Sequence, residues 1–168
     1  MKLFHIDNNY IDYLKKFEPK IQNHSGITYS KKRKYLGILL EMNDCKYIAP
    51  LSSPKKTDYN PDGSIRKSIV PLIRITHKNK LLGTIKLNNM IPFYDEKVVM
   101  YYDLSKEDDK NYKALIINEL EFIYTNKELI IKNAKKIYQQ KEKELNIGYI
   151  KNTLNFKLLE EKAKKYDI

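Results

Sequence analysis

The chain has 168 residues, 42% of them hydrophobic, which is enough apolar material for a core and excludes wholesale disorder. Its 32 Lys and Arg against 21 Asp and Glu leave a net charge of +11, a field that attracts polyanions. The longest apolar runs fall far short of a membrane span, and Cys45, the single cysteine, excludes an internal disulfide and a cysteine-based metal site.

The start, MKLFHIDNNY, has no apolar signal stretch, so the expectation is one domain, residues 1–168, in the cytoplasm and with no membrane role. Residues 2–6 read as a short strand. A helix is expected over 9–17, where Tyr10, Ile11, Tyr13, Leu14 and Phe17 fall at helical spacing and Pro19 stops it. After a loop, 35–42 and 45–51 flank Asn43-Asp44 and read as a β-hairpin. Residues 52–68, SSPKKTDYNPDGSIRKS, form a long, exposed, basic loop with a turn at Asn60-Pro61-Asp62-Gly63. Strands are expected at 69–76, 81–87 and 98–102, the first two joined by a turn around 78–80. Beyond Asp103 the periodicity turns helical. Ser105 is the expected N-cap of a helix reaching Tyr124, with Glu107, Asp108 and Asp109 in its first turn. A second helix runs from Asn126 to a cap at Gly148, and a short one follows Asn155. Strands followed by helices indicate an α+β fold with an antiparallel sheet, possible as a curled sheet or a barrel.

Enzyme signatures are mostly absent. There is no phosphate-binding glycine loop, no nucleophile elbow and no zinc-protease motif. His5 is expected half-buried on a strand and His24 and His77 in loops, so a histidine pair is not favoured. The run YIAPLSSPKK at 47–56 is different, because it sets two hydroxyls and two ammonium groups at the mouth of a loop leaving a buried strand; the bland alternative is an ordinary Ser-Pro turn. A second cluster, TYSKKRKY at 28–35, begins the hairpin's first arm. In an antiparallel hairpin the start of one arm lies beside the end of the other. Tyr29, Lys31, Lys32, Arg33, Lys34, Ser52, Ser53, Lys55 and Lys56 are therefore expected to form one patch, suited to RNA phosphates, 2′-hydroxyls and an unstacked base, with a solvated charge cluster as the alternative.

The blocks YIAPLSSPKK (47–56), LGTIKLNNMIP (82–92), YKAL (112–115) and NFKLLEEK (155–162) occur in an order in which the chain resembles the ToxN/AbiQ family, endoribonuclease toxins of bacterial type III toxin-antitoxin systems with a repeat RNA as antitoxin. The resemblance implies a curled antiparallel sheet or barrel of Kid/MazF-like type with several packed helices. It also implies a metal-independent endoribonuclease, without cofactor, that cleaves cellular RNA, processes its own repeat RNA antitoxin and is inhibited by it. The partners so implied are antitoxin RNA and cellular RNA, in a toxin-RNA hetero-oligomer, with a role in phage defence.

Residue by residue, the family's catalytic positions resemble Tyr29, Arg33, Ser52, Ser53 and Lys55 here. Ser52 stands where the family often has Thr, and Arg33 where Lys is usual, so Lys32 or Lys34 is the equivalent if the match slips by one. Lys31, Lys32, Lys34 and Lys56, with Tyr59, Arg66 and Lys67 of the loop, are the expected RNA contacts. The expected reaction uses the RNA 2′-hydroxyl as nucleophile and leaves a 2′,3′-cyclic phosphate. Lys55 and Arg33 would carry phosphate charge, Ser53 and Ser52 would position it, and Tyr29 would hold a base or ribose; the general base and acid are unassigned. A non-catalytic RNA-binding module and a Ser53-x-Lys55 hydrolase are the competing readings.

Overall fold

A computed structural model describes residues 1–22, 32–42 and 44–167. Strand β1 (Lys2–Ile6) leads into helix α1 (Asn8–Lys15), where the Asp7 carboxylate accepts the Tyr10 N–H at 3.1 Å, satisfying one of the first-turn donors. Tyr10, Ile11 and Leu14 give α1 its buried face. The expected hairpin is present as β2 (Tyr35–Met42) and β3 (Cys45–Ser52), with Asp44 at φ 64° in its turn. A second hairpin joins β4 (Leu72–His77) to β5 (Lys80–Lys86) through Lys78 and Asn79, at φ 46° and 61°, the left-handed pair that matches the twist of the flanking strands. Short strands β6 (Ile91–Phe93) and β7 (Val99–Tyr101) follow, then helices α2 (Lys110–Thr125), α3 (Lys127–Glu142) and α4 (Phe156–Lys164).

The fold is α+β. All pairings among these strands are antiparallel, in the order β4-β5-β3-β2-β1-β7, with β6 on β3. The sheet is open, so of the two forms expected, curled sheet or barrel, the sheet is the one found. Strand β3 is its axis: one edge carries β2, while the other carries β6 along Lys46 to Ile48 and then passes to β5 at Leu51 and Ser52. This change of partner splits the sheet where β3 emerges from the core.

At the opposite end of β3, α3 and α4 close over the sheet. Tyr138 and Phe156 stack at 5.7 Å, and both rings meet the buried Tyr47 edge-on. The Tyr47 and Tyr138 hydroxyls both donate to Glu160, at 2.6 and 2.7 Å. The NFKLLEEK block thus fastens α4 to the sheet: Asn155 accepts the Leu158 N–H as N-cap, Phe156 stacks, and Glu160 takes the two hydroxyls.

Several boundaries differ from the sequence expectation for local reasons. Ser105 is not a helix cap; its hydroxyl donates to Asp103 at 2.6 Å in a 3-10 turn, Leu104–Lys106, and α2 starts at Lys110 with Asp109 accepting the Tyr112 N–H. Helix α3 ends at Glu142, and Glu144, at φ 45°, takes the reversal expected of Gly148. Strand β6 was not expected, because a three-residue segment with Pro92 at its centre carries no strand signal; its pairing with β3 comes from tertiary placement. His77 ends β4 rather than lying in a loop.

Candidate active site

The run YIAPLSSPKK passes from full burial to solvent within a few residues. Tyr47, Ile48 and Ala49 are in the core, Ser52 is half-buried, and Ser53, Lys55 and Lys56 are exposed. The Ser52 hydroxyl is enclosed yet has no hydrogen-bond partner among the described residues, an unusual state for a buried polar atom. Beyond it the chain makes a 3-10 turn, Lys56–Asp58, that buries Asp58. The Asp58 carboxylate accepts the Lys55 N–H at 2.9 Å and pairs with the buried Arg74 guanidinium at 3.4 Å. Arg74 also donates to the Lys67 carbonyl at 2.7 Å, and its own N–H donates to the Ser68 hydroxyl at 2.8 Å. The loop expected at 52–68 is therefore exposed at its rim and pinned from beneath. Its tip turns as expected, with the Gly63 N–H on the Asn60 carbonyl at 2.9 Å and Gly63 at φ 83°.

The start of β2 lies beside this end of β3. The Leu51 N–H donates to the Lys34 carbonyl at 2.9 Å, Arg33 Nη1 donates to the Leu51 carbonyl at 3.1 Å, and Tyr35 faces Pro50. Arg33 is thus brought against the strand that delivers Ser52, Ser53 and Lys55. His5 Nδ1 lies 3.1 Å from the Arg33 carbonyl, and burial lowers the pKa of this imidazole below its ordinary value. Tyr29 and Lys31 fall outside the described residues. Lys32 and Arg33 are half-buried.

Lys34 is placed differently from the expected surface contact. It is 5% exposed, its ammonium sits over the rings of Tyr102 at 4.4 Å and Tyr112 at 4.1 Å, and it hydrogen-bonds the Tyr112 hydroxyl. Desolvated cation-π contacts of this kind contribute on the order of 1–2 kcal/mol each. The run KKRK looks uniform as a sequence, but of its described residues Lys32 and Arg33 are half-buried and Lys34 is buried, held by the two tyrosine rings. Tyr112, in the YKAL block, accordingly joins α2 to the sheet. Tyr59 is half-buried and bridged to Ile65, Arg66 Nε donates to the Tyr59 carbonyl at 3.1 Å, and Arg66, Lys67 and Lys56 are exposed along the loop.

The floor of the site comes from β5, which sequence reasoning did not place there. Thr84 faces Ser52 across the ladder, and its hydroxyl lies 3.5 Å from Asp58. A Cβ on Gly83 would come 2.8 Å from Glu119 Oε1 and 2.9 Å from the Ser52 carbonyl, so glycine lets α2 approach the strand that holds Ser52. Burial pushes the Glu119 carboxyl up to about 7, with the Lys34 ammonium opposing. Lys86, at the end of β5, is brought down to about 8 by burial and by the charges of Lys55 and Arg33, against Asp58. The LGTIKLNNMIP block contains Thr84 and Lys86, and strand alternation puts them on one face; what the sequence lacks is any sign that this face adjoins Ser52. Among the described residues, no group of three or more His, Cys, Asp and Glu could hold a metal ion. A groove of about 560 Å³ between β2 and α3, lined by Ile38, Leu40, Met42, Ile131 and Tyr138 among others, lies toward the far end of β2 from Arg33.

Chemically, this end of the sheet offers hydroxyls at Ser52 and Ser53 with cations at Arg33, Lys55 and Lys86. Such a set can hold a phosphodiester and stabilise added negative charge on its oxygens. Comparison with known proteins points the same way. A curated relative, "Endoribonuclease ToxN" of Pectobacterium atrosepticum, is 34% identical over 173 residues, spanning 99% of this chain and 94% of its own length. Two solved structures superpose over nearly the whole chain. One, from work described as "A processed non-coding RNA regulates a bacterial antiviral system", has a TM-score of 0.86 at 32% identity and covers 100% of both chains. The other, that of "AbiQ, a lactococcal anti-phage endoribonuclease belonging to the type-III toxin-antitoxin system", has a TM-score of 0.82 at 28% identity and covers 98% of this chain and 96% of that one. The family model described as "Toxin ToxN, type III toxin-antitoxin system" matches residues 2–164, and the chain belongs to that family.

Proposed function

We propose that this chain, an endoribonuclease of the ToxN family, cuts RNA by attack of the substrate's own 2′-hydroxyl on the adjacent phosphorus, leaving a 2′,3′-cyclic phosphate and a 5′-hydroxyl without a divalent metal. The observation that carries this reading is the convergence of Arg33 with Ser52, Ser53 and Lys55 at the split of the sheet, where Arg33 donates to Leu51 and no described residue satisfies the Ser52 hydroxyl. Attack puts charge on the non-bridging oxygens; Lys55 and Arg33 are placed to offset it, and fixed guanidinium charge suits that task better than proton transfer. Ser53 and Ser52 orient the phosphate by hydrogen bonds, and Tyr29 holds a neighbouring base or ribose. Lys32, Lys56, Tyr59, Arg66 and Lys67 extend the contact along the RNA, and Lys31 belongs with them by sequence. Lys34, inward-facing, supports the site from the core.

The reading extends to partners. The same patch takes the repeat RNA antitoxin, which the enzyme processes and which then blocks the site as an unreleased product. Each repeat has two ends, so toxin and RNA alternate in a hetero-oligomer. Residues 1–168 act as one domain in the cytoplasm against cellular RNA; among the described residues, no helix is long and apolar enough to cross a membrane. The test is cleavage of a defined RNA in excess EDTA, alongside the same RNA with a single 2′-deoxy at the cut. Cutting should persist in EDTA, stop at the deoxy position and yield a cyclic phosphate by mass spectrometry. A requirement for magnesium, or cleavage at the deoxy position, would refute the mechanism.

A further inference from the structure

We propose that Lys86 completes a phosphate subsite with Arg33 and Lys55, holding an RNA phosphodiester at the β5 side of the site. The inference rests on the endoribonuclease reading and names one further contact of that site. The sheet register supplies the geometry. Arg74, Thr84 and Ser52 stand opposite one another on β4, β5 and β3, and Leu72 and Lys86 form the next row on the same face, two residues along β5 from Thr84. Lys86 is half-buried at the end of that row, directly before the 3-10 turn Leu87–Asn89.

The charged groups facing it come from several elements. The charges of Lys55, in the loop after β3, and of Arg33, in the segment entering β2, act on it, opposed by that of Asp58 in the 3-10 turn. Asp58 is already committed to Arg74 and to the Lys55 N–H, and Arg74 to Asp58 and the Lys67 carbonyl. Among the described residues, no ion pair engages Lys86. The positive charges of Lys55 and Arg33 act on Lys86 against that of Asp58, and a bound anion would relieve this repulsion. An adjacent phosphodiester reverses the sign of the local field at Lys86 and favours its charged form.

Proton uptake on binding follows. With the pKa of Lys86 brought down to about 8 in the empty site, much of its charge is lost as pH rises past neutrality, and RNA must restore it. From pH 7 to pH 8.5 this coupling weakens binding by about fourfold if the phosphate returns Lys86 to an ordinary lysine value.

The probe is a mixed-sequence RNA carrying 2′-O-methyl groups throughout, which offers phosphates but no nucleophile. Its affinity is measured at pH 7 and pH 8.5 for the wild type, Lys86→Arg and Lys86→Met, with melting curves on each. Calorimetry at pH 8.5 in two buffers of different ionisation heat counts protons taken up. We expect the wild type to weaken by about fourfold and to take up most of one proton. Lys86→Arg should keep the pH 7 affinity and lose both the decline and the uptake, and Lys86→Met should bind several-fold more weakly with no decline. If Lys86→Arg keeps the decline and the uptake, or a folded Lys86→Met matches the wild type at both pH values, the subsite is overturned; should Lys86→Met not fold, the arginine variant decides. Cleavage of the unmethylated RNA is read separately, so a failure of the proposed chemistry leaves the binding result to stand or fall alone.

Discussion

Strand β3 ends in two unlike places, and under the proposed function the contrast separates stability from chemistry along one strand. At its inner end the Tyr47 hydroxyl donates to Glu160, which also takes Tyr138, while Phe156 stacks on Tyr138. Burial and the neighbouring carboxylate raise the Tyr47 phenol well above its ordinary range, so it stays a neutral donor. Its outer end, five residues on, has an enclosed Ser52 hydroxyl with no partner among the described residues, near the charges of Lys55, Arg33, Lys86 and Asp58. Polar groups matched to partners fix the fold, whereas the outer end keeps an enclosed hydroxyl that no described residue satisfies.

Asp58 joins the two functions at the outer end, and its loss should have the largest effect on stability. Asp58→Ala strands the buried Arg74 guanidinium and releases the Lys55 N–H, so urea unfolding should show a loss of about 3–5 kcal/mol, and cleavage should fall with it. A loss under about 1 kcal/mol would mean that the loop is not pinned from beneath.

Ser53→Ala separates them. Removing one exposed hydroxyl should lower the cleavage rate by two to three orders of magnitude, about 3–4 kcal/mol in the barrier, with the melting temperature unchanged and RNA affinity nearly so. Wild-type growth arrest by the variant would assign Ser53 to the rim rather than to the reaction.

Glu119 sharpens the comparison by pH, because it is a buried acid behind Ser52 whose partner is incomplete. Its folded pKa of about 7 lies above the unfolded value of 4.5, so the unfolded chain ionises first. Stability from this group is intact below about pH 4.5 and declines as pH rises toward 7, by up to about 3 kcal/mol. Glu119→Gln should remove that slope, visible as a smaller difference between unfolding curves at pH 5 and pH 7.5. His5 acts with the opposite sign, since its lowered pKa costs stability as pH falls through 6.5, and the difference between variant and wild type cancels it.

The smallest expected effect is at the inner end. Glu160→Ala leaves the Tyr47 and Tyr138 hydroxyls without their acceptor and should cost about 2 kcal/mol in urea unfolding, while the folded variant cleaves RNA at the wild-type rate. Loss of cleavage at full stability would break the division between the two ends.

Sequence alone determined what depends on neighbouring residues. Alternation and turn residues gave β1, the β2-β3 hairpin and the β4-β5 hairpin, helical spacing gave α1 to α4, and antiparallel pairing put Arg33 beside Ser52. The four motif blocks identified the family. Only the tertiary structure decided the rest. Lys34 turns inward because Tyr102 and Tyr112, far along the chain, hold its ammonium, β6 exists because β3 offers it an edge, and the motif at 155–162 is a fastener because Phe156 and Glu160 meet residues far away in the chain. Lys86 is brought to the site by the pairing of β5 with β3, and Asp58, three residues after Lys55, is buried there by Arg74 of β4; ladder order and burial act between segments whose separation along the chain carries no sign of their contact.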